Sequence, residues 1–462
     1  MNLWAFTGLF LLLEQVPPTP TPTSAPSARP NEQRAVLVRK PRPLNPVRLG
    51  GVFLYGLGDK PDPMENSGKT GTTLSEENRK FLTDNCDVVV LPANSLKPET
   101  YPAMLKEQPL MIPLLYLSAS TLYEQESYPG NVGGWKPAML EWTLRDENGK
   151  EIPHPDKSGH WMDMGSKEWA EHWKTQAGQK VRNYGAFGAV ASELMLGNSF
   201  LPDKLQKYPT IAERGEATAQ WLQRVHGDFS IFPSSTGFEQ IVGHSVTAVA
   251  DSDREPELSG KYWDYLHPWC EGAWSEGWLY PYWADYSAPA ELRQVQLAAG
   301  RRASKDGLTF IATAAYHDDG ELETLLAYFL LVSHKQGNMV FQPMPILPNM
   351  PTDAGLSLAV LKQQVKEKPS LLQAPLGWAN EEMVHVACGE GRVLLRRRYT
   401  EGVVYVNIDD KRPAHLNLGS PLKRVTGEIV SFIDLAPNSG ILLYNPPRVL
   451  PKKAVPKPIK QP

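Results

Sequence analysis

"LSEENRKFLTDNCDVVVLPAN", residues 74–94, holds the fold in miniature. From Leu74 to Asn85 the apolar residues fall on one face of a helix. Ser75 stands at the N-cap position with Asn78 three residues on, where a full capping box would carry an acid. Cys86 to Asn94 then forms an apolar run with no polar alternation, as in a strand buried on both faces. A helix feeding directly into such a strand is half of a parallel β/α unit.

Outward from this unit the pattern repeats. "VRLGGVFLYGL" (47–57) reads as the strand before it and "LMIPLLYLSAS" (110–120) as the strand after it. "FGAVASELM" (187–195), "FSIFPSST" (229–236), "EGAWSEGWL" (271–279), "LTFIATAAY" (308–316) and "NMVFQPMP" (338–345) complete a set of eight with 86–94. Helical patterns at 166–184, 211–227, 289–307 and 321–336 separate most of them. Eight buried strands interleaved with helices predict an α/β fold, a (β/α)8 TIM barrel. An open doubly wound sheet is the competing arrangement. It calls for a glycine-rich turn after the first strand and an acid after the second, but "YGLGDK" (55–60) supplies only GxG and no such acid follows.

The 462 residues leave room for more than the barrel. Residues 1–28 read as a leader: 3–13 are apolar but too short to span a bilayer, and "APSA" (25–28) offers a small-residue cleavage site. The leader lacks a Lys or Arg before its apolar run, so a membrane-tethering or disordered leader competes with export. A Pro/Thr/Ser-rich linker follows at 29–44, then the barrel at 45–370. From 376 to 446 short alternating runs between Gly, Asn and Asp predict a small antiparallel β-sandwich. The Pro- and Lys-rich tail at 447–462 reads as disordered.

A net charge of −4 gives no field to draw nucleic acid or anionic membranes. The body has no membrane-spanning stretch, and the sequence gives no oligomeric state. The three cysteines are far apart and lack CxxC spacing, so buried free thiols are expected rather than a zinc site. His244 and His267 lack partners at ligand spacing; neither metal nor cofactor is expected. Thirteen tryptophans and seventeen tyrosines fit core packing first and sugar stacking second.

Barrel active sites lie at the C-terminal ends of the strands, so polar residues that close each run are the candidates. Glu193 closes the fourth run and Glu276 the sixth. Two carboxyls facing each other across a cleft are what glycosidic cleavage needs, one protonated and one ionised. Trp274 and Trp278 flank Glu276 and would raise its pKa, suiting it to the acid role; Glu193 beside Ser192 suits the nucleophile or base. Either glutamate could instead cap the next helix or pair with an arginine. Glu271 opens its run and reads as structural. Tyr55 closes the first run, "HWMDM" places Trp161 and Asp163 before a helix, and Tyr316, His317 and Asp318 close the seventh run. All are candidates for sugar contacts. "NSGKTGTT" (66–73) is no P-loop, because Pro63 occupies the place of the first glycine.

"WTLRDENGK" (142–150), "FGAVASEL" (187–194) and "EGAWSEGW" (271–278) occur in that order, followed by "RRRYTEGVVYVNIDD" (396–410) and "IDLAPNSGILLY" (433–444). Together they resemble glycosyl hydrolase-like barrel families related to the α-galactosidase superfamily, which pair a (β/α)8 barrel with a C-terminal β-domain. The resemblance runs over roughly residues 45–445 and rests on the order of short motifs. It implies Glu276 as general acid/base. On the fourth strand its carboxylate position falls on Ser192, with Glu193 one residue later. Neighbouring strand residues face opposite ways, so Glu193 enters the site only if the strand end bulges. Otherwise Asp163 is the substitute carboxylate, or the protein binds carbohydrate without cleaving it. A structural cell-surface role is the remaining rival and predicts no cleft at the barrel top. The leading expectation is an exported glycoside hydrolase acting on an oligo- or polysaccharide.

Overall fold

The computed structural model describes residues 47–53, 74–128, 130–155, 158–192, 205–227, 229–233, 269–275, 278–279, 290–305, 307–333, 338–346, 357–388 and 392–446. The leader, the linker, the tail, Tyr55, Glu193 and Glu276 lie outside them.

The barrel strands are β1 (Leu49–Val52), β2 (Cys86–Pro92), β3 (Ile112–Ser118), β6 (Gly188–Ser192), β7 (Ser230–Pro233), β8 (Gly272–Ser275), β9 (Thr309–Tyr316) and β10 (Asn338–Pro345). β4 (Thr121–Tyr123) and β5 (Gly159–Trp161) form a hairpin outside the barrel. All barrel pairs are parallel, in the order β7-β6-β3-β2-β1-β10-β9-β8. That order is the chain order wrapped into a ring, which an open doubly wound sheet does not give. Between the end strands, Glu271 donates its N–H to Ile231 O at 3.1 Å and accepts Ile231 N–H on its carboxylate at 2.8 Å. A side chain therefore stitches the β7/β8 seam, at the end where β8 begins.

The helices are α1 (Glu76–Asn85), α2 (Thr100–Glu107), α3 (Lys167–Tyr184), α4 (Ile211–Val225), α5 (Ala290–Lys305), α6 (Asp319–Val332) and α7 (Leu358–Glu367). Ser75 caps α1 by accepting Asn78 N–H, and Ser166 caps α3 by accepting Trp169 N–H. Gly185 ends α3 at φ 63°, a left-handed cap that glycine adopts without steric cost. The short α2 is not evident from the sequence pattern, since its eight residues make barely two turns of helical period. Inside the barrel Val52, Val88, Val90, Ile112, Leu114, Val190, Trp274, Ile311 and Val340 pack together; strand residues of the other parity pack against the helices.

The expected C-terminal β-domain is one antiparallel six-stranded sheet, β11 (Val384–Cys388), β12 (Arg392–Tyr399), β13 (Gly402–Asn407), β14 (Ala414–Arg424), β15 (Ile429–Leu435) and β16 (Ser439–Tyr444). Its order is β11-β12-β13-β16-β14-β15. β14 meets β16 only at Lys423 and Arg424. Where β14 peels away, α6 takes its place: Gly440 N–H donates to Thr324 Oγ1 at 3.1 Å and Leu442 N–H to Glu323 at 2.9 Å.

Candidate active site

The C-terminal ends of the barrel strands carry two groups of polar residues. The first lies inside the barrel. Trp274 is fully buried there and donates its indole N–H to Thr313 Oγ1 at 2.9 Å; Thr313 donates to Gln342 Oε1 at 3.1 Å. The Gln342 amide also accepts Val52 N–H (3.1 Å) and donates to Val52 O (2.8 Å). Tyr116, half-buried, meets the edge of Trp274 at 6.3 Å between ring centroids. Ser192 closes β6 with the parity of inward-facing Val190; its hydroxyl is buried and has no hydrogen-bond partner among the described residues. A buried hydroxyl without a partner is costly, so one left at a barrel mouth marks a place for water or ligand. Tyr116, Thr313 and Gln342 were not picked out from the sequence. Each breaks an otherwise apolar run at an inward position, and the two-residue period would have found them.

The end of β8 breaks register. Ser275 pairs with Ala312, and unbroken parallel pairing would next have position 277 donate to Thr313 O. Trp278 makes that bond instead, at 2.9 Å. Between the described residues Ser275 and Trp278 the pairing with β9 is therefore shifted by one residue. The side chains agree. Trp274 and Trp278 share parity, yet Trp274 sits inside the barrel while Trp278 packs outward, edge-on to Phe329 of α6. Next, Leu279 holds φ 64°, rare for a residue with a branched side chain; its N–H is caught by Gln296 Oε1 at 2.7 Å.

The second group belongs to the long β3–α3 connection. Asn94 donates to the carbonyls of Glu126, Tyr128 and Asn131, and Trp135 stacks on His160 at 3.7 Å. Asp163, 1% exposed, accepts Tyr208 O–H at 2.5 Å, Gly165 N–H at 2.8 Å and Lys207 Nζ at 2.6 Å. It ties this connection to the β6–α4 loop. Burial, then the neighbouring Asp163 charge, pushes the Tyr208 phenol well above its usual range, so it stays a donor. A Cβ at residue 165 would lie 1.8 Å from the Tyr208 hydroxyl, so any larger residue there would push the Tyr208 side chain off Asp163. Beside this tie lies a hollow of about 140 Å³, walled by Glu141, Thr143, Arg145, Gln206, Lys207 and Tyr208.

The other sequence candidates are dispersed. Trp161 is buried with Leu144, Ile152 and Leu205. Trp274 and Trp278 have no exposed face to stack on a sugar. Tyr316 points into the helix layer, where its hydroxyl meets Gln364 of α7 and Lys368 lies over its ring at 4.9 Å. Asp318 caps α6 through Glu321 N–H, and exposed His317 contacts Glu321. These four aromatics stabilise layers, which is the commoner use of such residues. Among the described residues no group of three or more His, Cys, Asp or Glu is placed to hold a metal, and no helix is long and apolar enough to cross a membrane. Cys86, Cys270 and Cys388 are buried and unbridged.

No family model and no curated protein matches the chain. Among solved structures it is similar to the glycoside hydrolase domain of PelA from Pseudomonas aeruginosa, at 16% identity and TM-score 0.37 over 58% of this chain and 90% of that one. It is similar also to a noncanonic maltogenic α-amylase, AmyB, from Thermotoga neapolitana (12% identity, TM-score 0.41, 86% and 98% covered). The α-amylase from H. orenii gives 8% identity and TM-score 0.42, with 78% and 90% covered. Likeness at this level fixes neither family nor activity, and the barrel assignment rests on the strand order itself.

Proposed function

We propose that the protein is a glycoside hydrolase acting on an oligo- or polysaccharide at the barrel mouth, with Glu276 as general acid/base and Glu193 as the second carboxylate. The observation that carries this reading is the one-residue shift in register between Ser275 and Trp278 at the end of β8; Glu276 itself lies outside the described residues. A left-handed non-glycine residue costs of order 1–3 kcal/mol, and such strain and bulges gather where a strand end must aim a side chain. Trp274, two residues before Glu276 in the sequence, is fully buried, and apolar neighbours of this kind favour a protonated carboxyl, the form needed to protonate a leaving oxygen. Ser192 offers a hydroxyl that has no partner among the described residues. Position 193 has the parity of Ala191, which packs toward the helices, so Glu193 serves only if the chain bulges after Ser192. The order of the short motifs supports the same activity, and the affiliation with the α-galactosidase superfamily rests on those motifs alone. The apolar leader supports action outside the cytoplasm.

A carbohydrate-binding barrel without turnover is the second reading, favoured by Ser192 standing where the resemblance expects a carboxylate. Parallel turnover assays of wild type, Glu193→Gln and Glu276→Gln separate the two. Hydrolysis lost in both variants supports the pair. Loss in Glu276→Gln alone removes Glu193 from the mechanism, and glycan binding with no hydrolysis in wild type supports the second reading. The anomer released, read by NMR, then reports the carboxyl separation: retention for about 5 Å, inversion for about 6.5–9.5 Å.

A further inference from the structure

We propose that the hollow between the β3–α3 connection and the β6–α4 loop is a second sugar-binding subsite, holding one unit of a neutral glycan away from the bond that is cleaved. This rests on the glycosidase reading for its link to turnover, but its binding claim stands on the hollow itself.

The hollow is built before any ligand arrives. β3 and β6 are neighbours in the barrel, and the loops that follow them rise from the same end as the barrel mouth. Asp163 clamps the two loops through Tyr208 and Lys207, and Gly165 lets the Tyr208 ring lie close across the turn. A wall fixed in this way loses little freedom on binding.

Its charges decide the ligand class. Lys207 is neutralised by Asp163 at 2.6 Å. Arg145 donates to the carbonyls of Gly149 and Leu140, and among the described residues it has no carboxylate within ion-pair distance. Glu141 is exposed and is likewise in no ion pair among the described residues. Two cations and two anions leave the hollow neutral. A phosphate or a polycation would find its own charge opposed by half the wall. A sugar ring finds what its hydroxyls need, because each hydroxyl donates and accepts. Glu141 accepts, Arg145 donates, and the Gln206 amide does both.

The test uses the full chain and ladders of neutral gluco-, galacto- and xylo-oligosaccharides from dimers upward. Glu141→Ala and Gln206→Ala change exposed side chains that do not hold the loops. In each, the ratio of kcat/KM for the longest to the shortest substrate should fall about tenfold, the loss of one hydrogen bond to a charged or amide group. A ratio unchanged in both variants overturns the subsite while leaving Glu276 untouched. Calorimetry on Glu276→Gln, with and without Glu141→Ala, reads the hollow without turnover. Weaker binding of the long oligomers in the double variant supports it; equal binding, no binding of any neutral ladder, or tighter binding of a uronate ladder overturns it. If Glu276→Gln still turns substrate over, the catalytic assignment fails and the calorimetric result alone decides the subsite.

Discussion

Gln342 replaces a piece of backbone ladder. β1 pairs with β10 only at Leu49 and Phe341, and one residue later the Gln342 amide takes both the N–H and the C=O of Val52. Glu271 performs half of this task on the β7/β8 seam. Gln342→Ala would strand two buried backbone groups and leave a void. Thermal or urea unfolding should show a loss of about 2–4 kcal/mol, and a loss below about 0.5 kcal/mol would mean that water fills the gap. Glu323 makes a pH-dependent prediction. Burial raises its pKa, with the Leu442 N–H and Arg424 working the other way. A carboxyl raised on folding favours the fold while protonated, and that contribution is lost as pH rises from the ordinary glutamate range through the raised value. Glu323→Gln should therefore raise Tm near about pH 7 and leave it unchanged near about pH 4; an equal shift at both would locate the effect outside titration. At this scale the sequence is legible only where period or position speaks. Ser75 and Ser166 cap helices as their spacing predicts, whereas Lys207 and Tyr208 reach Asp163 across 44 and 45 positions and leave no local trace.

Elements were more legible than residues, for a physical reason. A strand buried on both faces must be apolar along its length, so the eight barrel strands stand out. α6 shows the same logic in a helix: Leu322 and the run from Leu325 to Val332 are buried, because the barrel covers one side and the β-sheet the other. α2 and the β4–β5 hairpin carry weaker patterns, and the shift in register between Ser275 and Trp278 has no sequence mark beyond Gly277. α4 begins with a reciprocal capping box between Thr210 and Glu213, directly after the loop that bears Lys207 and Tyr208. Thr210→Ala should cost about 1 kcal/mol in unfolding experiments. If the cap also steadies the hollow, the same change weakens oligosaccharide binding; an unaltered affinity would confine the cap to stability.

The barrel and the C-terminal sheet are built as one folding unit. Arg397 of β12 is 2% exposed, and its guanidinium donates to the carbonyls of Leu330, Leu331 and Ser333 at the end of α6 and to Glu381 O. Tyr399 donates to Leu330 O at 2.6 Å. A cation from the sheet thus meets the negative end of a barrel helix and satisfies its last carbonyls. Arg397→Met should cost several kcal/mol, because it takes the donor from the carbonyls of Leu331, Ser333 and Glu381 at about 1–3 kcal/mol for each one left buried and unsatisfied. Urea unfolding of wild type should be a single transition by fluorescence and circular dichroism alike; two separated transitions would show that the sheet is an independent domain. At the barrel mouth lie the left-handed Leu279 and the Ser192 hydroxyl, which has no partner among the described residues, and the proposed chemistry is tested there. The most direct measurement is release of reducing ends from a broad panel of α- and β-linked oligosaccharides by wild type and by Glu276→Gln of equal Tm. The account predicts hydrolysis of at least one linkage by wild type and a loss of about 10²–10⁴-fold in the variant, the worth of a positioned acid. Equal rates in the two proteins would contradict it.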